Sequence, residues 1–336
     1  MIYTCLEYQK DELSGKITPV LSEKDVTVLK DGEVQINVHY SSVNFKDALA
    51  SDHAKNGVVA HYPLVGGIDL SGEVTLSKDE RFNVGDKVVV TGYGLGVSHP
   101  GGYSEIAQVP GDWVTKLPDA LTTKEAMIYG TAGLTAALSV DALLNNGLTN
   151  KSDARILVTG ATGGVGSTSI AILHKLGYHN ITALSRKKGA QDDYLTRIGA
   201  SKIITIEDLT PEKVRPLMKQ QFDFILDAVG GEQLGILLPQ LAYGGCITVC
   251  GNAGGIKLNT TVLPFILRGI SMIGIDSVNI PAEHREQLWH RLSNQMKPPH
   301  LNELIKATVS LSELPQTFQQ LLVGTIVGRY LVKLKD

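Results

Sequence analysis

Residues 1 to about 125 alternate short β-branched stretches with glycine, proline, asparagine and aspartate. Apolar side chains at alternate positions, bounded by turn-forming residues, are typical of strands with one buried face. The pattern predicts strands at four places in this part of the chain: Val34–Val38, Gly72–Leu76, Asp86–Val90 and Tyr103–Val109. Residues 1–125 are therefore predicted to form a β-rich domain.

The pattern changes at Ala126, where small and apolar residues follow helical spacing as far as Leu144. Beyond residue 153, short apolar runs alternate with helical segments. The predicted strands are Arg155–Thr159, Ile181–Leu184, Lys202–Ile206, Phe222–Ala228, Cys246–Cys250 and Ser271–Ile275. The predicted helices are Val165–Leu176, Asp192–Ile198, Pro211–Lys219 and Gly231–Leu241. Continuous apolar strands joined by helices with right-handed crossovers indicate a doubly wound parallel α/β sheet.

The C-terminal part of the chain returns to the first pattern. Residues 302–336 contain a predicted helix, Leu311–Leu322, and an alternating strand, Arg329–Leu334. We expect this strand to join the first domain. The predicted organisation is thus an α/β protein in which residues 1–125 and about 302–336 form one domain and residues 126–301 form the other.

A glycine-rich turn follows the first strand of the α/β part. Glycines occupy positions 160, 163 and 166, between the apolar strand and the next predicted helix. A strand that turns through glycines into a helix brings backbone N–H groups and the positive helix end close to a pyrophosphate. The spacing departs from the strict G-x-G-x-x-G pattern, but the order of strand, turn and helix favours dinucleotide binding. A purely structural turn is the alternative.

Cations follow the second strand of the α/β part. Ser185, Arg186 and Lys187 stand where an NAD-binding domain presents an acid to the ribose 2′-hydroxyl, and the next acid is Asp192. A guanidinium or ammonium group pairs with a 2′-phosphate, whereas a carboxylate repels it. This segment predicts NADPH as the cofactor. An ordinary solvated basic turn is the alternative.

Composition excludes several other classes of protein. The net charge is −3, 19% of residues are charged and 43% are apolar, which disfavours disorder and nucleic-acid binding. The apolar stretch Ala132–Val140 is interrupted by Gly133, Thr135 and Ser139, so we expect no membrane anchor. The first ten residues lack the features of a secretion signal, and three cysteines are too few for a disulfide framework. We therefore expect a cytoplasmic protein.

The sequence also predicts that the protein has no metal site. A catalytic zinc needs about three nitrogen or sulfur ligands and a structural zinc about four. Cys246 and Cys250 lie inside the α/β part, and the nine histidines show no ligand spacing. A buried thiol pair is the simpler interpretation of the two cysteines.

These features together resemble the zinc-free quinone oxidoreductase branch of the medium-chain dehydrogenase/reductase superfamily, in particular the YhdH/YhfP group that includes NADPH-dependent acryloyl-CoA reductases. Where zinc enzymes carry Gly-His-Glu, this chain has Gly67, Ile68 and Asp69. The matching segments are Ser41–Ala50, Pro63 with Gly66–Gly72, Gly130–Ala136, Tyr243–Cys246 with Cys250–Gly251, Leu263–Arg268 and Gly328–Arg329.

The resemblance implies a GroES-like substrate domain and a Rossmann NADPH-binding domain, with the nicotinamide in the cleft between them and a homodimer as the default assembly. It places Asn44 near the nicotinamide ribose, Tyr40, Lys46 and Asp69 in the cleft wall, and Thr131 beside the nicotinamide. The remaining positions that it implies for the cofactor are Thr162, Gly163, Gly164 and Val165 at the pyrophosphate, Ser185, Arg186 and Lys187 at the 2′-phosphate, and Asn252, Ile273 and Arg329.

Tyr40, Asn44, Asp69 and Arg329 are the candidate catalytic residues. Each has a structural alternative: Asn44 as a helix cap, Tyr40 as a strand aromatic, Asp69 as a turn residue and Arg329 as an ion-pair partner. Without a Lewis acid, hydride transfer suits an acceptor that is already activated. The expected reaction is reduction of an activated C=C bond, with acryloyl-CoA as the specific substrate. Quinone reduction and a non-catalytic NADPH sensor are the alternatives.

Overall fold

A computed structural model of the chain describes residues 1–52, 57–186, 189–213 and 215–334. The chain divides into two compact units. The first unit comprises residues 1–131, 278–293 and 305–336, and the second comprises residues 132–277 and 294–304. Residues 126–131 and 278–293, which were predicted to belong to the α/β domain, thus lie in the first unit.

The described residues contain sixteen strands and eight helices. The strands are β1 (Ile2–Lys10), β2 (Ile17–Asp25), β3 (Glu33–Ser42), β4 (Leu64–Val65), β5 (Asp69–Ser77), β6 (Lys87–Thr91), β7 (Ile106–Pro110), β8 (Val114–Lys116), β9 (Ile156–Val158), β10 (Ile181–Leu184), β11 (Lys202–Ile204), β12 (Phe222–Asp227), β13 (Leu241–Val249), β14 (Ser271–Gly274), β15 (Ile305–Val309) and β16 (Arg329–Lys333). The helices are α1 (Phe45–Ala50), α2 (Thr123–Asn145), α3 (Gly164–Lys175), α4 (Asp192–Arg197), α5 (Gly231–Leu237), α6 (Leu263–Arg268), α7 (Ala282–Ser293) and α8 (Leu314–Leu322).

The first unit is built from two sheets. One has the order β2-β1-β4, and the other has the order β15-β16-β3-β5-β6-β8, with β7 also pairing with β3. The C-terminal strand β16 runs antiparallel to β3, with Leu331 opposite Ser42. The predicted return of this strand to the first part of the chain is therefore present. The pairing brings Arg329 to the end of β3 where α1 begins.

Alternate side chains of β3 and β5 form the core of the larger sheet. Val34, Ile36 and Val38 on β3 are fully buried against Leu70 and Val74 on β5. The period of two that predicted these strands therefore places their apolar face in the interior. The same register positions the last residues of β3 beside Asp69, the first residue of β5.

The second unit holds one six-stranded sheet with the order β11-β10-β9-β12-β13-β14. Every pairing in it is parallel. Numbered within the unit, this is the 3-2-1-4-5-6 order of a dinucleotide-binding fold, and the strand order reverses at β9. The predicted doubly wound sheet is confirmed. Its crevice for a ligand lies at the carboxyl ends of β9 and β12.

One helix, α2, is long and apolar enough to cross a membrane by length and composition alone. However, 78% of its most apolar stretch is buried inside the protein, as in a core helix. Its backbone is also interrupted at Gly130, which has φ 51° and ψ −155°. The sequence predicted one unbroken helix here, because the apolar spacing continues across the break.

The predicted helix Pro211–Lys219 is wrong for the residues that the structure describes: 211–213 and 215–219 form bends and irregular backbone. Pro216 explains the difference, because a proline inside a helix removes a hydrogen bond and clashes with the preceding turn, whereas Pro211 would stand in the first turn, where proline is tolerated. Proline also divides the predicted helix Gly231–Leu241, since α5 ends at Leu237 and a 3₁₀ turn containing Pro239 follows.

Candidate active site

The glycine turn of the second unit connects β9 to α3. Gly160 has φ 56°, a conformation that L side chains rarely adopt. A Cβ on Gly166 would collide with the Gly160 carbonyl, so this glycine permits the close packing of helix on strand. Gly163, the N-cap residue of α3, has only that carbonyl near its Cβ position, at 3.3 Å. The turn therefore leaves open space in front of the helix N-terminus.

The first backbone N–H groups of any helix have no acceptor within the helix. In α3 these groups belong to Gly164 and Val165, and they follow Thr162 and Gly163 at the carboxyl end of β9. The N-terminal turn of α3 also carries no acidic side chain. Oriented N–H groups and the positive end of the helix dipole make this turn suited to a phosphate. The predicted pyrophosphate residues therefore lie at one helix end.

Asp227 anchors the neighbouring loop at the end of β12. This fully buried carboxylate accepts hydrogen bonds from the Thr159 hydroxyl at 2.6 Å and from the Gly230 N–H at 2.7 Å. Burial raises the pKa of Asp227. The Asp227 side chain thus ties the strand that leads into the glycine turn to the loop after β12. Sequence analysis did not single out this residue.

The other predicted cofactor residues of the second unit follow further strands. Ser185 is buried directly after β10, and Arg186 next to it is exposed. Lys187 lies outside the described residues. Asn252 is exposed beyond the end of β13, and Ile273 lies within β14, paired with Thr248. Since the strands are parallel, their carboxyl ends share one edge of the sheet. Direct contact of each residue with a cofactor stays a prediction.

A buried carboxylate organises the first unit near the start of α1. Asp69 is fully buried, and its two carboxylate oxygens accept hydrogen bonds from four donor groups. The donors are the N–H and hydroxyl of Ser42, the amide of Asn44 and the backbone N–H of Thr131. The structure thus brings together three of the residues predicted from sequence, Asn44, Asp69 and Thr131.

Arg329 approaches the same cluster from β16. Its guanidinium is 2% exposed and donates to the Ser42 hydroxyl at 2.6 Å and to the Ile128 carbonyl at 2.9 Å. A longer contact of 3.5 Å joins it to the Asn44 side-chain oxygen. Arg329 thus bonds to acceptors inside the protein. Its predicted contact with an anionic group of a ligand stays a prediction that this geometry does not support.

Asn44 is the N-cap residue of α1, as the structural alternative proposed, and its side chain also belongs to the cluster. Its amide nitrogen donates to Asp69 at 2.9 Å, while its oxygen faces Arg329. The carboxylate of Asp47 accepts the Asn44 backbone N–H at 2.9 Å and the Ile68 N–H at 3.0 Å. Burial, with the nearby charge of Asp69, raises the pKa of Asp47 to about 7.

The break in α2 lies against this cluster. A Cβ on Gly130 would lie 2.5 Å from an Asp69 oxygen, 2.6 Å from the Ser42 hydroxyl and 3.0 Å from the Arg329 guanidinium. Only glycine fits in this position. The next residue, Thr131, donates its N–H to Asp69 at 2.9 Å. The break therefore directs a backbone group at the carboxylate.

Tyr40 lies two residues before Ser42 on β3 and is half-buried. Its carbonyl faces the Ser71 hydroxyl at 3.5 Å. Within the described part of the chain, the hydrogen bonds given to the Asp69 carboxylate come from Ser42, Asn44 and Thr131. The structure therefore does not bring Tyr40 into the cluster, and its catalytic role stays a prediction.

The residues around Asp69, where zinc enzymes carry a ligand motif, do not fit a zinc ion. Both Asp69 oxygens already accept protein hydrogen bonds, and the neighbouring Ile68 offers an apolar side chain. Among residues 1–52, 57–186, 189–213 and 215–334, no group of three or more His, Cys, Asp or Glu side chains could hold a metal ion. A metal-based step therefore has no donor set in the described residues.

Three residues that complete the cluster around Asp69 were given no functional role from the sequence. Ser42 and Gly130 lay in segments quoted for the family resemblance, but neither was given a role. Tyr103 is fully buried and donates its hydroxyl to the Ser42 carbonyl at 3.2 Å. The available signal was the glycine inside an apolar helical pattern, which marks a break or a close approach.

Two family descriptions match separate parts of the chain. Residues 30–119 match the alcohol dehydrogenase GroES-like domain. Residues 164–294 match the zinc-binding dehydrogenase family. The first range contains Asn44 and Asp69, and the second begins with the helix that follows the glycine turn. The two predicted domain types are therefore confirmed.

Individual proteins match over almost the whole chain. YhfP of Bacillus subtilis, a quinone oxidoreductase by name, is 45% identical over 335 residues, covering 99% of both chains. The acrylyl-CoA reductase AcuI of Ruegeria pomeroyi is 42% identical over 331 residues, covering 98% of this chain and 99% of AcuI.

Solved structures match equally well. The yhdH oxidoreductase of Salmonella enterica in complex with NADP has a TM-score of 0.92 at 39% identity, covering 99% of this chain and 100% of that chain. The structure of Bacillus subtilis yhfP with NAD bound has a TM-score of 0.93 at 43% identity, covering 99% and 100%. The resemblance predicted from the sequence is confirmed, and the chain belongs to the medium-chain dehydrogenase/reductase family, in the group of oxidoreductases that contains YhfP, YhdH and AcuI.

Proposed function

We propose that this protein is an NADPH-dependent reductase of an activated carbon–carbon double bond, with acryloyl-CoA as substrate and propanoyl-CoA as product. The observation that carries the proposal is that the chain holds an open glycine turn in its second unit and, in its first unit, a buried polar cluster whose described residues offer no donor set for zinc. The similarity to AcuI, which is named as an acrylyl-CoA reductase, supports the choice of acceptor.

The residues present fit a dinucleotide. The turn from Thr162 to Val165 would hold the pyrophosphate on backbone N–H groups, because the Gly163 position is open. Arg186 would pair with the 2′-phosphate of NADPH. A charge-assisted hydrogen bond contributes about 1.5–3 kcal/mol, so one such contact favours NADPH over NADH by roughly ten- to hundredfold. Because the yhfP structure holds NAD, the activity of this protein with NADPH has to be compared directly with its activity with NADH.

In the first unit, the cluster would position the reacting groups. When bound, NADPH supplies the hydride that adds to Cβ of the enoyl thioester. Asn44 and Thr131 are proposed to line the nicotinamide site, and Asp69 holds both in fixed positions. Fixed orientation of two reactants contributes a large part of catalysis in reactions that need no covalent help from the protein. The proton that then reaches Cα is proposed to come from solvent.

We also propose a homodimer in the cytoplasm. Strand β14 stands at one end of the sheet order, and Ile266, Leu267 and Met272 near it expose 68%, 56% and 41% of their surfaces. An exposed apolar strand edge is a ready surface for pairing with a second copy. Sedimentation equilibrium tests this, and a monomer at micromolar concentration would contradict it. The cysteines are free, which suits a reducing compartment.

The function is tested by following NADPH oxidation with acryloyl-CoA and a benzoquinone in parallel, with NADH as the control cofactor. We expect turnover of acryloyl-CoA with NADPH and much slower turnover with NADH. Reaction with the quinone alone would favour the activity that the name of YhfP suggests. If neither acceptor reacts while NADPH binds, a sensor is the better account.

A further inference from the structure

Two buried groups of opposite charge form hydrogen bonds with the backbone on the two sides of the break in α2. Arg329 donates to the carbonyl of Ile128, before the break, at 2.9 Å. Asp69 accepts from the N–H of Thr131, after the break, at 2.9 Å. A cation favours the C-terminal end of a helical segment, and a carboxylate favours an N-terminal end. Both charges therefore stabilise the interruption at Gly130 rather than a continuous helix.

The hydroxyl of Ser42 links these two charges. It accepts a hydrogen bond from the Arg329 guanidinium at 2.6 Å and donates to the Asp69 carboxylate at 2.8 Å. A serine hydroxyl carries one donor and two acceptor sites, which matches a guanidinium on one side and a carboxylate on the other. Ser42 itself is fully buried, so water does not compete for these positions.

The same linked groups orient the Asn44 side chain. Its amide nitrogen donates to Asp69 at 2.9 Å, and its oxygen faces Arg329 at 3.5 Å. The two ends of the amide thus meet groups of opposite charge, which selects one of its two flipped orientations. A shift of the carboxylate would therefore move Asn44 and the Thr131 backbone together.

We propose that Ser42 is a positioning residue of the active site, whose hydroxyl joins Arg329 to Asp69 and thereby holds Asn44 and Thr131 in the geometry that the nicotinamide needs. The proposal rests on the proposed function for the role of Asn44 and Thr131. Ser42 touches neither substrate nor cofactor in this account. Its effect passes through the carboxylate and the guanidinium that it connects.

The chain offers a matched control at the adjacent position. Ser41 is also fully buried on β3, and its hydroxyl donates to the backbone carbonyl of Asp69 at 2.7 Å. Ser41→Ala therefore removes one buried hydroxyl and one hydrogen bond to the same residue but leaves the carboxylate untouched. Comparing it with Ser42→Ala separates a loss of stability from a loss of positioning.

The experiment measures thermal unfolding, the dissociation constant for NADPH and turnover of acryloyl-CoA for the wild type, Ser42→Ala and Ser41→Ala. We expect both variants to lose similar stability. Because a displacement of about 1 Å in a reacting group costs on the order of a hundredfold in rate, Ser42→Ala should lose roughly ten- to hundredfold in turnover relative to Ser41→Ala, and it should also bind NADPH more weakly than Ser41→Ala. Equal losses in the two variants would overturn the proposal.

A second variant covers the case in which Ser42→Ala does not fold. Asp69→Asn keeps the shape of the side chain but replaces one acceptor oxygen by a donor, and it is compared with Ser41→Ala in the same way. When both variants fold, the double variant Ser42→Ala/Asp69→Asn should lose little more than either single variant, since residues that act as one unit are not additive. Multiplied losses would contradict a joint role.

The outcomes also separate this proposal from the proposed function. If the wild type binds NADPH but does not reduce acryloyl-CoA, the proposed substrate is wrong, and the ratio of NADPH affinities between Ser42→Ala and Ser41→Ala still decides the role of Ser42. If the wild type does not bind NADPH, both proposals fail.

Discussion

Replacing Gly130 by alanine should strongly destabilise the first unit. The added Cβ would meet three buried polar atoms, those of Asp69, Ser42 and Arg329, at 2.5, 2.6 and 3.0 Å. None of these atoms is the loose end of an exposed side chain, because all three residues are buried. The backbone at φ 51° and ψ −155° is itself unfavourable for alanine.

The size of the effect follows from two contributions. A side chain in such a backbone conformation costs of order 1–3 kcal/mol. Displacing the Thr131 N–H from the Asp69 carboxylate loses a charge-assisted hydrogen bond of about 1.5–3 kcal/mol. Together they remove about 3–6 kcal/mol from a free energy of unfolding that is typically about 5–15 kcal/mol. With a urea m value of about 3 kcal/mol per M, the unfolding midpoint should fall by about 1–2 M.

Tryptophan fluorescence during urea unfolding measures the stability of the first unit, which contains Gly130. Both tryptophans, Trp113 and Trp289, lie in the first unit, as Gly130 does. Gly32→Ala is the control, since Gly32 has φ 79° but nothing within 4 Å of its Cβ position. The control therefore carries backbone strain without a collision. If Gly130→Ala lowers the midpoint no further than Gly32→Ala, the proposed tight packing around Asp69 is refuted.

Three further predictions concern the cofactor and the buried titratable groups. Arg186→Ala should reduce the preference for NADPH over NADH by about tenfold or more, measured as the ratio of kcat/KM values, because it removes a charged partner of the 2′-phosphate; an unchanged ratio would contradict this. The pKa of Asp47 is about 7 in the folded state, raised by burial and by Asp69, so the folded state binds more protons and its stability should fall as pH rises from about 4 to 7 and then level off. Asp47→Asn should remove this part of the pH dependence of the urea midpoint, whereas an identical slope would exclude Asp47 as its source. Burial raises the pKa of Cys246 to about 11 and of Cys250 to about 12, so both thiols should react with iodoacetamide at pH 8 on the order of a hundredfold more slowly than in the urea-unfolded protein, and equal rates would contradict their burial.

The second unit could be predicted from the sequence in most of its strands and in the place of its glycine turn. Continuous apolar runs have few alternatives to a buried parallel strand, and glycines between strand and helix have a specific physical use. The prediction failed at residues 211–213 and 215–219, where a helix was expected but Pro216 in its interior prevented it. The missing N–H and the steric clash of this proline therefore outweighed the hydrophobic pattern.

The cluster around Asp69 could be predicted only in part. Asn44, Asp69, Thr131 and Arg329 were identified one by one through the family resemblance, yet Asp69 reaches the end of β3 through the pairing of β5 with β3, and Arg329 reaches it through the pairing of β16 with β3. The sequence predicted that the last strand joins the first domain, but the spacing of these residues does not show which strand it pairs with or in which register. Ser42 was missed for the same reason, because a serine at a strand end has no recognisable role until its neighbours from other segments are known.

The proposed reaction passes a hydride from NADPH to Cβ of an enoyl thioester. It is tested most directly by incubating the wild-type protein with acryloyl-CoA and NADPH that carries deuterium at both C4 positions of the nicotinamide, and by analysing the CoA product by mass spectrometry. We expect propanoyl-CoA with one deuterium, located at Cβ, and a solvent proton at Cα. A CoA product without deuterium, or no propanoyl-CoA while a quinone is reduced, would contradict it.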